Sequence, residues 1–184
     1  MTVLASRAQL RASFLRWALF LIPVVLLLGY LSGVLSGSSA GNPWFAALQK
    51  PALYPPPAVF GIAWTVLYAL MGLAAALVCA AWGAYGRTAA LIAFAVQLAL
   101  NLAWSPTFFA LHEIRGALIL IGVLDLLAIV TAVLFWRVRW IAGALLVPYL
   151  LWLGFATYLN WQMLELNPRA DGTDYSGAVQ RIEL

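Results

Sequence analysis

From Trp17 to Gln49 the chain carries no charged side chain, and from Pro51 to Gly86 it again carries none. Lys50 is the only charge between Arg16 and Arg87. Over the whole 184 residues only 9% are charged and 65% are hydrophobic. A soluble domain carries about 25% charge. A water-soluble fold this small needs a polar coat, and these residues cannot supply one. The same hydrophobicity excludes a disordered chain. What remains is an integral membrane protein.

A spanning helix needs about 20 mostly apolar residues. Five stretches meet that need: 17–35, 59–81, 88–110, 117–136 and 141–163. Backbone groups in lipid must be satisfied within their own segment, so these read as helices rather than strands. The sequence therefore predicts an all-α integral membrane protein, a five-transmembrane-helix bundle with a long loop between its first two helices. Its plan is a basic N-terminal extension (1–14), a single transmembrane domain (15–163) and a polar C-terminal tail (164–184). Arg7, Arg11 and Arg16 before an apolar run also have the outline of a signal peptide, with Ser38-Ser-Ala40 as its cleavage region. The run outlasts a usual signal core, so a retained first helix is expected. Six Lys/Arg (Arg7, Arg11, Arg16, Arg87, Arg137, Arg139) flank one side and four (Lys50, Arg115, Arg169, Arg181) the other, which favours a cytoplasmic N-terminus and an exported C-terminus. Scattered basic residues suit anionic lipid headgroups, not nucleic acid. Trp17, Trp82, Trp136 and Trp140 fit an aromatic belt at the membrane surface.

The connector at 36–58 holds Pro43, Pro51, Pro55, Pro56 and Pro57. Asn42 before Pro43 is a helix-start signal, an Asn cap followed by Pro at the first helical position. A short helix over 43–49 would share one face among Trp44, Phe45 and Leu48. The three prolines at 55–57 then impose a stiff extended stretch. Such a connector is either a rigid spacer on the membrane surface or a lid over a cavity, and its length favours the lid.

Polar groups inside the spans carry the remaining information. On the third span Gln97, Asn101, Trp104 and Phe108 follow i, i+4, i+7, i+11 spacing and share a face. Amides toward lipid are costly, so this face should point inward. There Gln97 and Asn101 either tie helices together or orient a ligand's polar group, the first reading favoured for Gln97 and the second for Asn101. Pro106 should kink or end the third span and free a carbonyl, and Pro148 should do the same early in the fifth. Asp125 is the one acid deep within a span. Charged at the bilayer centre it would cost about 2.5–3.5 kcal/mol, so a neutral or hydrogen-bonded carboxyl joining helices is expected. With no second intramembrane carboxylate there is no acid–base pair. One cysteine (Cys79) and one histidine (His112) supply no metal cluster. Trp64, Tyr68 and Met71 share a face of the second span. Tyr149, Trp152, Ala156 and Leu159 share one of the fifth. Indole rings with an amide and a hydroxyl suit a large, flat, hydrophobic ligand, and ordinary aromatic packing is the alternative for each ring.

Several runs in this chain resemble those of a known family. These are Asn42-Pro-Trp-Phe-Ala-Ala-Leu-Gln-Lys-Pro51, Val59-Phe-Gly-Ile-Ala-Trp-Thr-Val-Leu-Tyr-Ala-Leu-Met-Gly72, Gln97-Leu-Ala-Leu-Asn-Leu-Ala-Trp-Ser-Pro-Thr-Phe-Phe109 and Pro148-Tyr-Leu-Leu-Trp-Leu-Gly-Phe-Ala-Thr-Tyr-Leu-Asn160. Together they resemble the tryptophan-rich sensory protein/translocator protein (TspO/MBR) family. The resemblance implies a five-helix bundle, commonly a homodimer, in a bacterial cell membrane or an outer mitochondrial membrane. It implies no required cofactor. It further implies tetrapyrrole ligands such as protoporphyrin and haem, and for some members sterols. By motif match the ligand site it implies includes Trp64, Asn101, Trp104, Trp152 and Ala156, and the candidate site as a whole adds Trp44, Tyr68, Phe155 and Leu159. Porphyrin degradation and porphyrin or sterol transport are the competing activities. Leu53 and Ala58 stand where members often carry Trp, and Trp161 stands at the family's sterol-consensus tyrosine. Gly29, Gly33 and Gly37 form a small-residue stripe on the first span that would serve either a dimer face or internal packing.

Overall fold

The computed structural model describes residues 7–38 and 41–173. Ser39, Ala40 and Arg181, which figure in the expected cleavage region and charge bias, lie outside the described residues, as do 1–6 and most of the tail. Five helical stretches are long and apolar enough to cross a membrane. They are α1 (Arg7–Leu35), α3 (Pro57–Cys79), α4 (Arg87–Ser105), α5 (Ile114–Val138) and the pair α6 (Trp140–Leu145) with α7 (Val147–Leu166). A short α2 (Pro43–Ala47) sits in the long connector. The chain is an all-α, five-span integral membrane protein. α1 starts at least ten residues before the expected 17, because 7–16 holds no helix breaker and continues the same helix.

The caps follow from the sequence. Gly37 has φ +69°, and the Gly37 and Ser38 amides donate to Val34 O and Gly33 O at 3.2 and 2.9 Å. This left-handed glycine terminates α1 in a Schellman motif. Asn42 caps α2 as expected, its Oδ1 accepting from Phe45 N at 3.0 Å. Arg87 Nη2 and Nε donate to Cys79 O at 2.9 and 3.2 Å, which closes the turn between α3 and α4.

Both expected proline effects occur. Pro106 has no N–H, so the chain opens into a π-helical turn (Pro106–Ala110) closed by Leu111 N to Pro106 O at 3.0 Å. The carbonyl this frees, Leu102 O, accepts from Ser32 Oγ of α1 at 2.6 Å. The fifth span breaks at Leu146, just before Pro148.

Small residues set the helix spacing. A Cβ on Gly72 would lie 2.8 Å from Ile22 Cα, so α1 and α3 meet backbone to backbone. A Cβ on Gly143 would lie 2.7 Å from Trp136 Cβ, which lets α6 fold back on the end of α5. In the glycine stripe of α1, a Cβ on Gly29 would overlap the Tyr68 ring at 2.1 Å, so Gly29 packs internally, while Gly33 lines a cavity and Gly37 is a cap. Antiparallel neighbours place Trp17, Trp82, Trp136 and Trp140 at one end of the bundle, together with Arg11, Arg16, Arg87, Arg137 and Arg139.

Gly72→Ala should lower stability by about 1–3 kcal/mol, because a methyl meets main chain that cannot move aside. Gly122→Ala, with nothing within 4 Å of its Cβ, should be neutral or slightly stabilising. Thermal unfolding in detergent measures both.

Candidate functional site: an aromatic cavity under the long connector

α1 and α3 touch at Gly72 and again at Gly29, where the Tyr68 ring fills the gap. Further toward the long connector neither Gly33 nor Gly61 has a neighbour within 4 Å of its Cβ position. The splay opens a cavity of about 560 Å³, inside the roughly 300–1,000 Å³ range of small-molecule sites. Tyr30 and Val34 of α1 line it while 68% and 56% exposed, and Gly61 and Thr65 of α3 are exposed as well. The cavity therefore opens sideways, between two helices whose outer faces are apolar.

Its walls come from all five spans and the connector. Trp64 stacks on Tyr68 (centroids 5.2 Å, 28° between planes). Trp104 stacks on Phe108 (5.1 Å, 18°). Phe60 meets the Trp152 ring edge-on at 5.7 Å. Ala156 and Leu159 continue the α7 wall one and two turns beyond Trp152. From the connector come Ser38, Phe45 and Tyr54, which line the end of the cavity where a lid would lie. Among the described residues no Lys, Arg, Asp or Glu lines the chamber.

A hydrogen-bonded chain runs along one wall of this largely apolar space. Tyr68 Oη donates to Asn101 Oδ1 at 2.7 Å. Asn101 Nδ2 donates to Tyr149 Oη at 3.1 Å, and Tyr149 Oη donates to Gln97 Oε1 at 2.8 Å. Three spans are joined through one amide, and Tyr68 and Asn101 show its end to the cavity. Gln97 is 1% exposed and lies behind the wall, where it ties α4 to α7. A second amide, Asn160, accepts from Trp104 Nε1 at 3.1 Å and donates to Ile114 O at 3.0 Å, fixing the indole's tilt. Asp125 also joins helices: Thr157 Oγ1 of α7 donates to its Oδ2 at 2.8 Å. The Trp152 indole N–H, though buried, has no partner among the described residues.

Seven of the nine residues expected at a ligand site therefore line one cavity: Trp64, Tyr68, Asn101, Trp104, Trp152, Ala156 and Leu159. Two do not. Trp44 points away, into a cluster with Phe108, Ile114 and Met163, and stacks on His112 at 4.5 Å. Its neighbour Phe45 takes the cavity wall, because α2 is a single turn whose adjacent residues face different sides. Phe155 lies three residues from Trp152 and props that ring from outside (5.7 Å, 59°), whereas Ala156, four residues on, keeps to the cavity face. Residue reading missed Asn160, Tyr149's central place in the chain, and the lid residues Phe45 and Tyr54. Asn160 carried the same signal as Asn101, an amide deep in a span.

Outside the spans, burial pushes the Tyr54 phenol up to about 12, so the lid presents a neutral hydroxyl at physiological pH. Burial also lowers Lys50 from its ordinary value. Its ammonium sits 4.0 Å over the Phe45 ring and donates to Leu48 O at 3.0 Å and to Phe45 O, a cationic cap on α2.

Fold and cavity define a five-span membrane protein with a lidded, aromatic, uncharged chamber open to the bilayer. The chain belongs to the TspO/MBR family, whose sequence model matches residues 20–166. It is 41% identical to protein CrtK of Rhodobacter capsulatus over 127 residues, 68% of this chain and 79% of that protein. It is 38% identical to the tryptophan-rich sensory protein of Cereibacter sphaeroides over 156 residues, 82% of this chain and 92% of that one. It is also 40% identical to the translocator protein of Homo sapiens over 123 residues, 66% and 73% of the two chains.

Asn101→Ala removes two interhelical bonds, each worth about 0.6–1.7 kcal/mol in membrane bundles. It leaves two buried hydroxyls short of a partner. A loss of about 1–3 kcal/mol is expected in unfolding in detergent, with Tyr68→Phe costing less because Asn101 keeps its bond to Tyr149.

Proposed function

We propose that the protein is a membrane-embedded binding protein, a sensor or carrier, for flat hydrophobic ring systems, with tetrapyrroles such as protoporphyrin and haem as the principal class and sterol-like molecules as a second. The observation that carries this reading is the cavity of about 560 Å³ walled by Trp64, Trp104, Trp152 and Phe60, with the hydrogen-bonded pair Tyr68 and Asn101 among its polar groups. Offset and edge-on aromatic contacts contribute about 0.5–1.5 kcal/mol each beyond simple burial. Ring faces meet indoles, a polar substituent meets the amide, and the unpaired Trp152 N–H offers a donor. The sideways mouth between α1 and α3 suits a ligand that partitions into lipid. The host is proposed to be a bacterial cell membrane, or the outer mitochondrial membrane if the source is eukaryotic. A homodimer is proposed on family resemblance. Cross-linking in native membranes tests it.

Quenching of tryptophan fluorescence by protoporphyrin IX should saturate at one molecule per chain. Trp152→Ala should weaken binding about tenfold, the worth of one stacking partner plus its buried area. Unchanged affinity in that variant would remove the cavity as the site. The porphyrin absorption spectrum, followed with and without light, separates binding from degradation, because a retained binder leaves the macrocycle intact.

A further inference from the structure

Asn167 ends α7 and faces the long connector. Gln49 N–H donates to Asn167 Oδ1 at 2.8 Å, and Asn167 Nδ2 donates back to Gln49 O at 2.9 Å. One side-chain amide thus satisfies both main-chain groups of one residue, as a neighbouring β-strand would. The Asn167 side chain is itself held, since Nδ2 also donates to Met163 O at 2.9 Å and the Asn167 amide donates to that same carbonyl at 3.1 Å.

Gln49 lies between the two lid rings, Phe45 and Tyr54, that line the cavity. Just before it, Leu48 is buried in the cluster with Trp44, Phe45 and Met163. Just after it, Lys50 caps α2. The start of the connector is attached by a longer bond, Asn42 Nδ2 to Phe109 O at 3.4 Å. The tail beyond α7 is pinned in turn. Asp171 Oδ1 accepts from Arg115 N at 3.0 Å, and Gly172 N donates to His112 O at 3.0 Å. Asn167 therefore joins a fixed tail to the middle of the lid, and it does not line the cavity.

We propose that Asn167 is the latch of this lid, a positioning residue that acts through Gln49 to hold Phe45 and Tyr54 over the chamber and so sets how fast a ring ligand passes beneath them. The proposal rests on the cavity being a ligand site. Opening the lid costs the paired bonds at Asn167. Removing them lowers the barrier in both directions while the cavity walls that set affinity stay as they are.

The test uses the full chain in lipid nanodiscs as wild type, Asn167→Ala, Asn167→Asp and the exposed last-turn control Glu165→Ala. Hydrogen exchange reads the segment 43–50, and stopped-flow fluorescence reads association and dissociation of protoporphyrin IX. In Asn167→Ala, exchange at 43–50 should rise about tenfold, the scale of two net hydrogen bonds, with the spans unchanged. Association and dissociation should both quicken several-fold, with the equilibrium constant moving far less. Asn167→Asp keeps the acceptor for Gln49 N–H and loses the donor, so it should fall between. Glu165→Ala should match wild type. Unchanged exchange at 43–50, or a loosened segment with unchanged rates, overturns the latch. Weakened equilibrium binding with no faster association shows a merely structural residue and overturns it too. If wild-type protein binds no protoporphyrin, the ligand reading fails by itself, and exchange at 43–50 still decides whether Asn167 holds the lid.

Discussion

Lipid offers no hydrogen-bond partners, so polar groups in the apolar spans are driven to find them within the protein. Much of the bundle's internal order follows from that constraint. Asn101 cannot face hydrocarbon, so it turns inward and collects a tyrosine from α3 and another from α7. Gln97 is drawn in by the same Tyr149 hydroxyl. Asn160 reaches an indole and a carbonyl, and Asp125 accepts from Thr157. Hydrophobic burial gives these helices no preference among their own faces, since the surroundings are as apolar as the interior. The amides and hydroxyls supply the preference, and the rings beside them are carried inward with them.

Glycines decide how close the rods come, and that closeness makes the cavity. α1 and α3 pinch at Gly72 and at Gly29, then part where Gly33 and Gly61 have nothing opposite. The missing side chains are the empty volume. Within the α1 stripe of small residues, Gly29 admits the Tyr68 ring and Gly33 leaves room beside it. The same helix gains a hydrogen bond to α4 because Pro106 strips Leu102 O of its helical donor and Ser32 finds it. A defect in one helix becomes a joint between two.

Much of this was legible in the residues. The charge-free runs fixed the number of spans, and Asn42-Pro43 marked a helix start that the Asn42–Phe45 cap realises. Amide and indole spacing on the third span selected a face that is indeed internal. Legibility failed where side-chain direction depends on a neighbour. Trp44 and Phe45 are adjacent in a one-turn helix, and nothing in their order says which enters the cluster with Phe108 and which the cavity wall. Phe155 and Ala156 are likewise adjacent, and the few degrees of helix rotation separating them come from packing. Tyr54 showed no pattern, because a proline-rich connector has no period to read.

The sequence by itself determined that the chain crosses a membrane five times, that its amides must turn inward, and that prolines interrupt the third and fifth spans. Those are consequences of composition and spacing against a solvent that rejects charge and unpaired amide groups. Only the tertiary structure decided that the inward faces enclose a space instead of closing on one another, that its mouth lies between α1 and α3, and that the connector is held down by Asn167. Helix splay, ring tilt and a bond between residues 118 positions apart depend on where whole rods come to rest, and a linear pattern carries no term for that.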